Sequence, residues 1–269
     1  MLTATQQAFD LSAKQAFVCD LDGTLFMGNR PIGPAIRFVT EHADRYVFYY
    51  LTNNTSKTPE AYLAKLRGAG IAVQEENILT PLITLEEYIR EMGYTSVYAV
   101  ANTIVSRHLR ERLPNVRFEF SPGNNRLVAL TYDTELTYEK LRRVAVLLNA
   151  DASLDYVTTH GDACCPSEEG PVPDVGGLIA LMRVTNGREP RHVFGKPSPS
   201  LLAPVLRRFA PEQIAVVGDR LYTDKAMADH AGVDFVCVLS GETTRESLAA
   251  YRGTPPSLVL ETLGDVTHV

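Results

Sequence analysis

Strands alternating with helices at both ends of the chain predict an α/β fold, a Rossmann-like parallel sheet with helices on both faces. Three observations carry the prediction. Residues 1–80 run strand, helix, strand, helix, and residues 189–269 resume that rhythm. In both parts, polar residues stand just past the carboxyl ends of apolar strand-like runs. Between them, residues 81–188 hold strands and helices of their own and read as an inserted second domain.

Taken in order, Ala16–Asp20 is a short apolar run that reads as a buried strand. A helix is expected from about Ala35 to Ala43, a strand at Tyr46–Thr52, and a second helix from about Pro59 to Ala69 that stops at Gly70. In the middle part, Val97–Ala101, Leu127–Thr131 and Leu154–Thr158 read as strands. Tyr138–Ala150 reads as a helix because Leu141, Val144, Ala145 and Leu148 fall on one stripe. The last part is expected to give a helix near Ser200–Phe209 and a strand at Gln213–Gly218. A helix near Asp224–Ala231, closed by Gly232, and a strand at Phe235–Leu239 complete it.

A chain of 269 residues with 45% apolar residues can bury a sizeable core. Its formal net charge of -6 argues against general nucleic-acid binding. An anionic substrate would therefore have to be drawn in by local cations or metal rather than by the global field. No apolar run approaches the ~18 residues that cross a membrane, and Met1 to Lys14 lacks the pattern of a signal peptide. Cys19 and Cys237 sit in apolar strand-like runs and read as buried thiols. Cys164-Cys165 lacks zinc-site spacing, and a reducing cytoplasm suits this cysteine usage.

Asp20-Leu21-Asp22-Gly23-Thr24 places two carboxylates one residue apart at a strand end. Like charges this close repel unless a cation or a shared proton offsets them. A hard cation such as Mg²⁺ suits such oxygen ligands. The first Asp could then attack phosphorus while the second serves as acid and base. Read alone, the segment is equally an Asp–Gly turn.

Three further segments share the placement of polar residues at strand ends, the edge where open parallel sheets bind ligands. Thr52-Asn53-Asn54 follows a strand, and its hydroxyl and backbone N–H groups could hold phosphate oxygens, or simply cap a turn. Gly195-Lys196-Pro197 offers a cation for phosphate and aspartates, or a solvated loop lysine. Asp219 and Asp224 follow the strand that ends at Gly218. The first suits a metal, and the second suits metal support, Lys196 or a helix N-cap.

The order of these four segments resembles the four motifs of the haloacid dehalogenase-like (HAD) phosphatase superfamily. With the insert between the second and third motifs, the chain resembles the NagD-like and p-nitrophenyl phosphatase family, whose members carry a large type-2 cap. The likeness rests on Asp20–Gly28, Gly195–Pro199 and Gly218–Asp224, and it extends over nearly the whole chain. It implies a HAD core made of 1–80 and 189–269 and an inserted α/β cap at 81–188. It also implies that Asp20 is the nucleophile that becomes an aspartyl-phosphate. Asp22 would be acid and base, with its backbone carbonyl on Mg²⁺. Asp20 and Asp219 would be metal carboxylates, with Asp224 close behind. Thr52 and the backbone near Asn53 would hold the phosphoryl group, and Lys196 would neutralise it.

In the cap, relatives usually carry Thr-Asn-x-Asp where this chain has Thr158-Thr159-His160-Gly161-Asp162. Asp162 keeps the position expected to face the substrate. His160 is read either as a residue that alters leaving-group preference or as a packing histidine. Cys164–Gly177, with Pro166, Pro171 and Pro173, resembles the loop that shapes the pocket. The expected activity is Mg²⁺-dependent hydrolysis of a small phosphorylated metabolite, with pairing of two copies through their caps. A phosphomutase or phosphotransferase on the same scaffold, or a non-catalytic phosphoryl-ligand sensor, is the alternative; dehalogenation suits Asp22 and the metal set less well.

Overall fold

The computed structural model describes residues 9–119, 125–165 and 169–268. The chain divides into two compact units, one of Met1–Thr52, Glu60–Leu79 and Lys196–Val269, the other of Asn53–Pro59 and Thr80–Gly195. The second unit thus takes in Asn53–Pro59 and runs on to Gly195. Within the loop Cys164–Gly177, residues 166–168 lie outside the described residues, as does most of the Met1–Lys14 segment.

Among the described residues, six strands form the sheet of the first unit. Their spatial order is Leu258–Leu260, Asp234–Val238, Ile214–Gly218, Ala16–Asp20, Val47–Leu51 and Ile78–Leu79, and all the pairings are parallel. Ala16–Asp20 is buried at every position, as a central strand covered on both faces must be. One face packs Val18, Tyr49, Val216 and Phe235 against Leu202, Val205 and Met227. On another, Phe17 meets Phe38, Tyr46 and Phe48, with ring centroids 4.9–5.6 Å away. Ala16–Asp20 lies where the strand order reverses, with earlier connections going to one side and later ones to the other. Such a switch point opens a crevice at the carboxyl ends of the strands.

The helix expected over Ser200–Phe209 is broken into a 3₁₀ turn at Pro199–Leu202 and a short α-helix at Ala203–Leu206. Pro204 has no N–H to return to the preceding turn, so a continuous helix cannot form there. The helix expected near Asp224 begins earlier, as a π-helical turn at Leu221–Lys225 that runs into Ala226–Ala231.

The second unit has its own parallel sheet, in the order His192–Val193, Asp155–Thr158, Arg126–Leu130 and Ser96–Val100. Helices Pro81–Glu91 and Thr103–Arg112 cover one face through Leu82, Leu85, Ile89, Val105 and Leu109. Tyr138–Ala150 and Val175–Asn186 cover the other through Val144, Leu148, Ile179 and Met182. Each of the four has a side-chain cap, from Thr80, Asn102, Thr137 and Asp174 in turn. These caps satisfy N–H groups that the first helical turn leaves without partners. Among the described residues, no helix is long and apolar enough to cross a membrane.

Candidate active site

Strand register brings the polar positions of the first unit together. Asp20 is level with Leu51, and Cys19 is level with Val217. The residues that leave these three neighbouring strands, Asp20, Thr52 and Asp219, therefore emerge at one edge of the sheet. Lys196 enters the same unit from Gly195 and is only 4% exposed. Its ammonium donates to Asp20 Oδ1 and, at 2.6 Å, to Asp224 Oδ1. The other oxygen of Asp224 accepts from the Arg220 backbone N–H at 3.1 Å. The π-helical turn supplies this geometry by bringing Asp224 back beneath the strand end.

Asp219 is held differently. Its Oδ2 accepts from the Glu242 backbone N–H at 2.7 Å, while its Oδ1 is buried without a hydrogen-bond partner. A Cβ on Gly23 or on Gly241 would overlap this carboxylate, and Gly23 also has φ +88°. Both positions thus need glycine for close backbone approach, and Gly23 needs it for its conformation as well. Ser240 Oγ donates to Gly23 O at 2.7 Å and ties the two cradling loops together.

Three buried aspartates share this edge with Lys196 and the Arg220 guanidinium, and the remaining imbalance shows in their protonation. Burial, reinforced by Asp224 and Asp219, holds the Asp20 carboxyl well above the usual range even though Lys196 pulls it down. Burial and then Asp224 push Asp219 up to about 6, against the Glu242 N–H. Burial alone would depress Lys196, but Asp20 and Asp224 outweigh it and keep it above the ordinary lysine range. An unpartnered buried carboxylate oxygen, hard oxygen donors and surplus negative charge fit a divalent cation. Asp20 and Asp219 are the side chains that would hold it.

Asp22 sits two residues beyond Asp20 with its side chain half exposed, 3.3 Å from Lys65 Nζ. Thr52 is buried, and its backbone N–H donates to Leu79 O at 3.1 Å. The remaining expected residues, Asn53, His160 and Asp162, lie together in the second unit. Asn53 Nδ2 donates to Asp162 Oδ2 at 3.0 Å. His160 is fully buried, with Nε2 2.9 Å from Asp174 Oδ1 and Nδ1 3.1 Å from Thr159 Oγ1. That is the setting of a packing histidine, not of a side chain that faces a leaving group.

The loop Ser240–Glu242, Lys65 and Asp174 were not singled out from the sequence. The loop carried a usable signal, because it follows the strand ending at Val238 and so sits on the ligand-binding edge. Lys65 carries none, since its partner Asp22 is distant in sequence, and Asp174 carries only that of a helix cap, with nothing to join it to His160.

Two family models match the chain. One described as haloacid dehalogenase-like hydrolase covers residues 17–118, and a HAD-hydrolase-like model covers residues 193–266. Among curated proteins, an acid sugar phosphatase of Staphylococcus saprophyticus is 28% identical over 94% of this chain and 96% of its own. A 5'-nucleotidase of Bacillus subtilis is 29% identical over 87% of this chain and 90% of its own. Among solved structures, a 4-nitrophenylphosphatase from Thermotoga maritima superposes with a TM-score of 0.85 at 31% identity, over 96% of this chain and 97% of that one. A sheet edge with Asp20, Lys196, Asp219 and Asp224 gathered on it, and full-length likeness above 30% identity, have one family in common: the chain belongs to the haloacid dehalogenase-like hydrolases, in the NagD-like and p-nitrophenyl phosphatase family.

Proposed function

We propose that the protein is a Mg²⁺-dependent phosphatase that hydrolyses a small phosphomonoester through an aspartyl-phosphate on Asp20. The observation that carries this reading is the contact of Lys196 with both Asp20 and Asp224, beside an Asp219 oxygen that has no partner. Asp20 attacks phosphorus, and the bond from phosphorus to the leaving oxygen breaks as Asp22 gives that oxygen a proton. Asp22, now ionised, takes a proton from water, and the water oxygen attacks phosphorus while the bond to Asp20 breaks. Inorganic phosphate leaves, and both aspartates return to their starting states. Exposure of Asp22 to solvent suits this exchange of protons.

Lys196 holds Asp20 in place and offsets charge on the transferring oxygens. Thr52, one position past Leu51 at the same edge, offers its hydroxyl to them. Phosphoryl transfer depends mainly on alignment and charge stabilisation, so fixed groups of this kind supply much of the rate. The cation, held by Asp20 and Asp219 and by the Asp22 backbone carbonyl, would add positive charge at the phosphoryl oxygens.

A sugar phosphate or a nucleotide is the substrate class in keeping with the acid sugar phosphatase and 5'-nucleotidase relatives. Phosphate release from a panel of phosphometabolites, with and without Mg²⁺, tests the reading. Release of inorganic phosphate only when Mg²⁺ is present supports it. Transfer to an acceptor hydroxyl without free phosphate would point to a mutase or transferase, and no turnover of any compound would point to a sensor.

A further inference from the structure

His160, Asp162 and Asp174 form, among the described residues, a trio whose ligating atoms all lie within 4.8 Å of one another. Their hydrogen bonds account for them without a metal. Tyr132 N–H donates to Thr55 Oγ1 at 3.0 Å, and Thr55 Oγ1 is 3.0 Å from Thr159 Oγ1. Thr159 Oγ1 is 3.1 Å from His160 Nδ1, and His160 Nε2 is 2.9 Å from Asp174 Oδ1. Asp174 Oδ1 also accepts from Val175 N–H at 2.7 Å, as the cap of helix Val175–Asn186. One proton arrangement satisfies the whole chain: Thr55 donates to Thr159, Thr159 to Nδ1, and Nε2–H to Asp174.

This chain of bonds joins four segments of the second unit: Tyr132 just past strand Arg126–Leu130, Asn53–Pro59, the end of strand Asp155–Thr158, and the start of helix Val175–Asn186. It also closes around two particular residues. A Cβ on Gly195 would stand 2.5 Å from His160 Cβ, 2.7 Å from Asn53 Oδ1 and 2.9 Å from Thr159 O. Gly195 is therefore seated directly on His160 and Asn53. Asn53 is further fixed by Asp162, whose own backbone carbonyl accepts from Gly176 N–H at 2.8 Å. Asn53 and Gly195 stand at the first and the last of the four points where the chain passes between the units. Their covalent neighbours there are Thr52 and Lys196.

We infer that His160 is a positioning residue, which fixes Asn53 and Gly195 as one rigid pair and through them sets the placement of Thr52 and Lys196. The inference rests on the proposed roles of Thr52 and Lys196. It differs from a leaving-group role, for which a fully buried ring is unsuited. Misplacing a reacting group by an ångström can cost up to about 100-fold in rate. His160→Phe keeps the ring's bulk and removes both of its hydrogen bonds. His160→Gln restores a donor toward Asp174.

The test is kcat and KM for p-nitrophenyl phosphate and for one sugar phosphate in the wild type and both variants, with Mg²⁺. A thermal melt of each serves to normalise for folded protein. The affinity for inorganic phosphate, measured by calorimetry, gives a readout that needs no turnover. The expected result for His160→Phe is a fall in kcat of about 10- to 100-fold, of the same size for both substrates, with KM raised in step with any loss of phosphate affinity. Phosphate affinity should weaken, and His160→Gln should recover most of both losses. A change confined to one substrate, or unchanged kcat and phosphate affinity per folded molecule, would overturn the inference. If His160→Phe does not fold, the same comparison on His160→Gln and Thr159→Val decides it, with a common kcat loss for Thr159→Val expected. A wild type without turnover would instead refute the phosphatase reading, and unaltered phosphate affinity in the variants would still refute positioning.

Discussion

Both units end their parallel strands in buried acidic and basic side chains, yet the two edges are balanced in opposite ways. In the second unit, the bonds through Thr55, Thr159, His160 and Asp174 give each of these four side chains a partner, although the neighbouring Thr158 Oγ1 has none. In the first, Asp20 and Asp224 share Lys196, and Asp219 keeps an oxygen with no partner. Buried polar groups are normally satisfied, and each exception calls for a physical reason. The contrast teaches that the same architecture can be closed, and therefore rigid, or left electrostatically short, and therefore ready for a cation and a phosphoryl group.

The most severe way to break the contrast is Asp20→Asn. It keeps the size of the side chain and one hydrogen-bond acceptor for Lys196, but removes the attacking carboxylate. Turnover should fall by at least about 10⁴-fold, while circular dichroism and the melting profile stay close to wild type. Normal turnover by a pure preparation of the variant would remove Asp20 from the chemistry.

Lys196→Met should act on both rate and stability. It leaves Asp20 and Asp224 buried without their shared cation, a loss of about 3–5 kcal/mol when one partner of a buried pair is removed. Urea melts should show that loss at neutral pH, and it should shrink in acid as the carboxyls take up protons. A variant as stable as wild type at pH 7 would mean that the ammonium does not hold these aspartates.

Mg²⁺ should stabilise the protein in a pH-dependent way. The Asp219 carboxyl stands at about 6 in the folded chain, above the ~3.9 of an unfolded aspartate. Without cation, its contribution to stability is therefore greatest below pH ~4 and is lost as pH rises to about 6. A cation needs the ionised form, so added Mg²⁺ should raise the melting temperature more at pH 7.5 than at pH 5. Asp219→Asn should abolish most of that increment. An increment independent of pH would place the cation elsewhere.

The smallest expected effect is that of Lys65→Ala. Its ammonium pairs with the half-exposed Asp22 and lies 4.4 Å from the Phe26 ring centroid, and these two contacts together contribute about 1–2 kcal/mol. Stability should change by no more than that, as read by urea unfolding.

Much of the first unit was legible in the sequence because its strands are buried on both faces. Ala16–Asp20, Val47–Leu51, Ile214–Gly218 and Asp234–Val238 read as continuous apolar runs, and the acids that end two of them mark the edge. The early start of the helix at Leu221 was hidden, since a π-helical turn has no periodic signature. The second unit was less open to reading. Helices Pro81–Glu91, Thr103–Arg112 and Val175–Asn186 were not drawn from the sequence, although Thr80, Asn102 and Asp174 are caps of a recognisable kind. His160 was legible as an oddity but not as a buried one. Its partner Asp174 is 14 residues away across a loop, and only the fold brings the two together.

If an Asp20 carboxylate oxygen bonds to phosphorus, the covalent state can be trapped. The wild-type enzyme with Mg²⁺ and p-nitrophenyl phosphate is quenched in acid during turnover, and its peptides are mapped by mass spectrometry. The expected result is one acid-stable, base-labile phosphoryl group on the peptide that contains Asp20, absent from Asp20→Asn. A wild type that turns over with a burst of p-nitrophenol, yet carries its phosphoryl group on another residue, would contradict it.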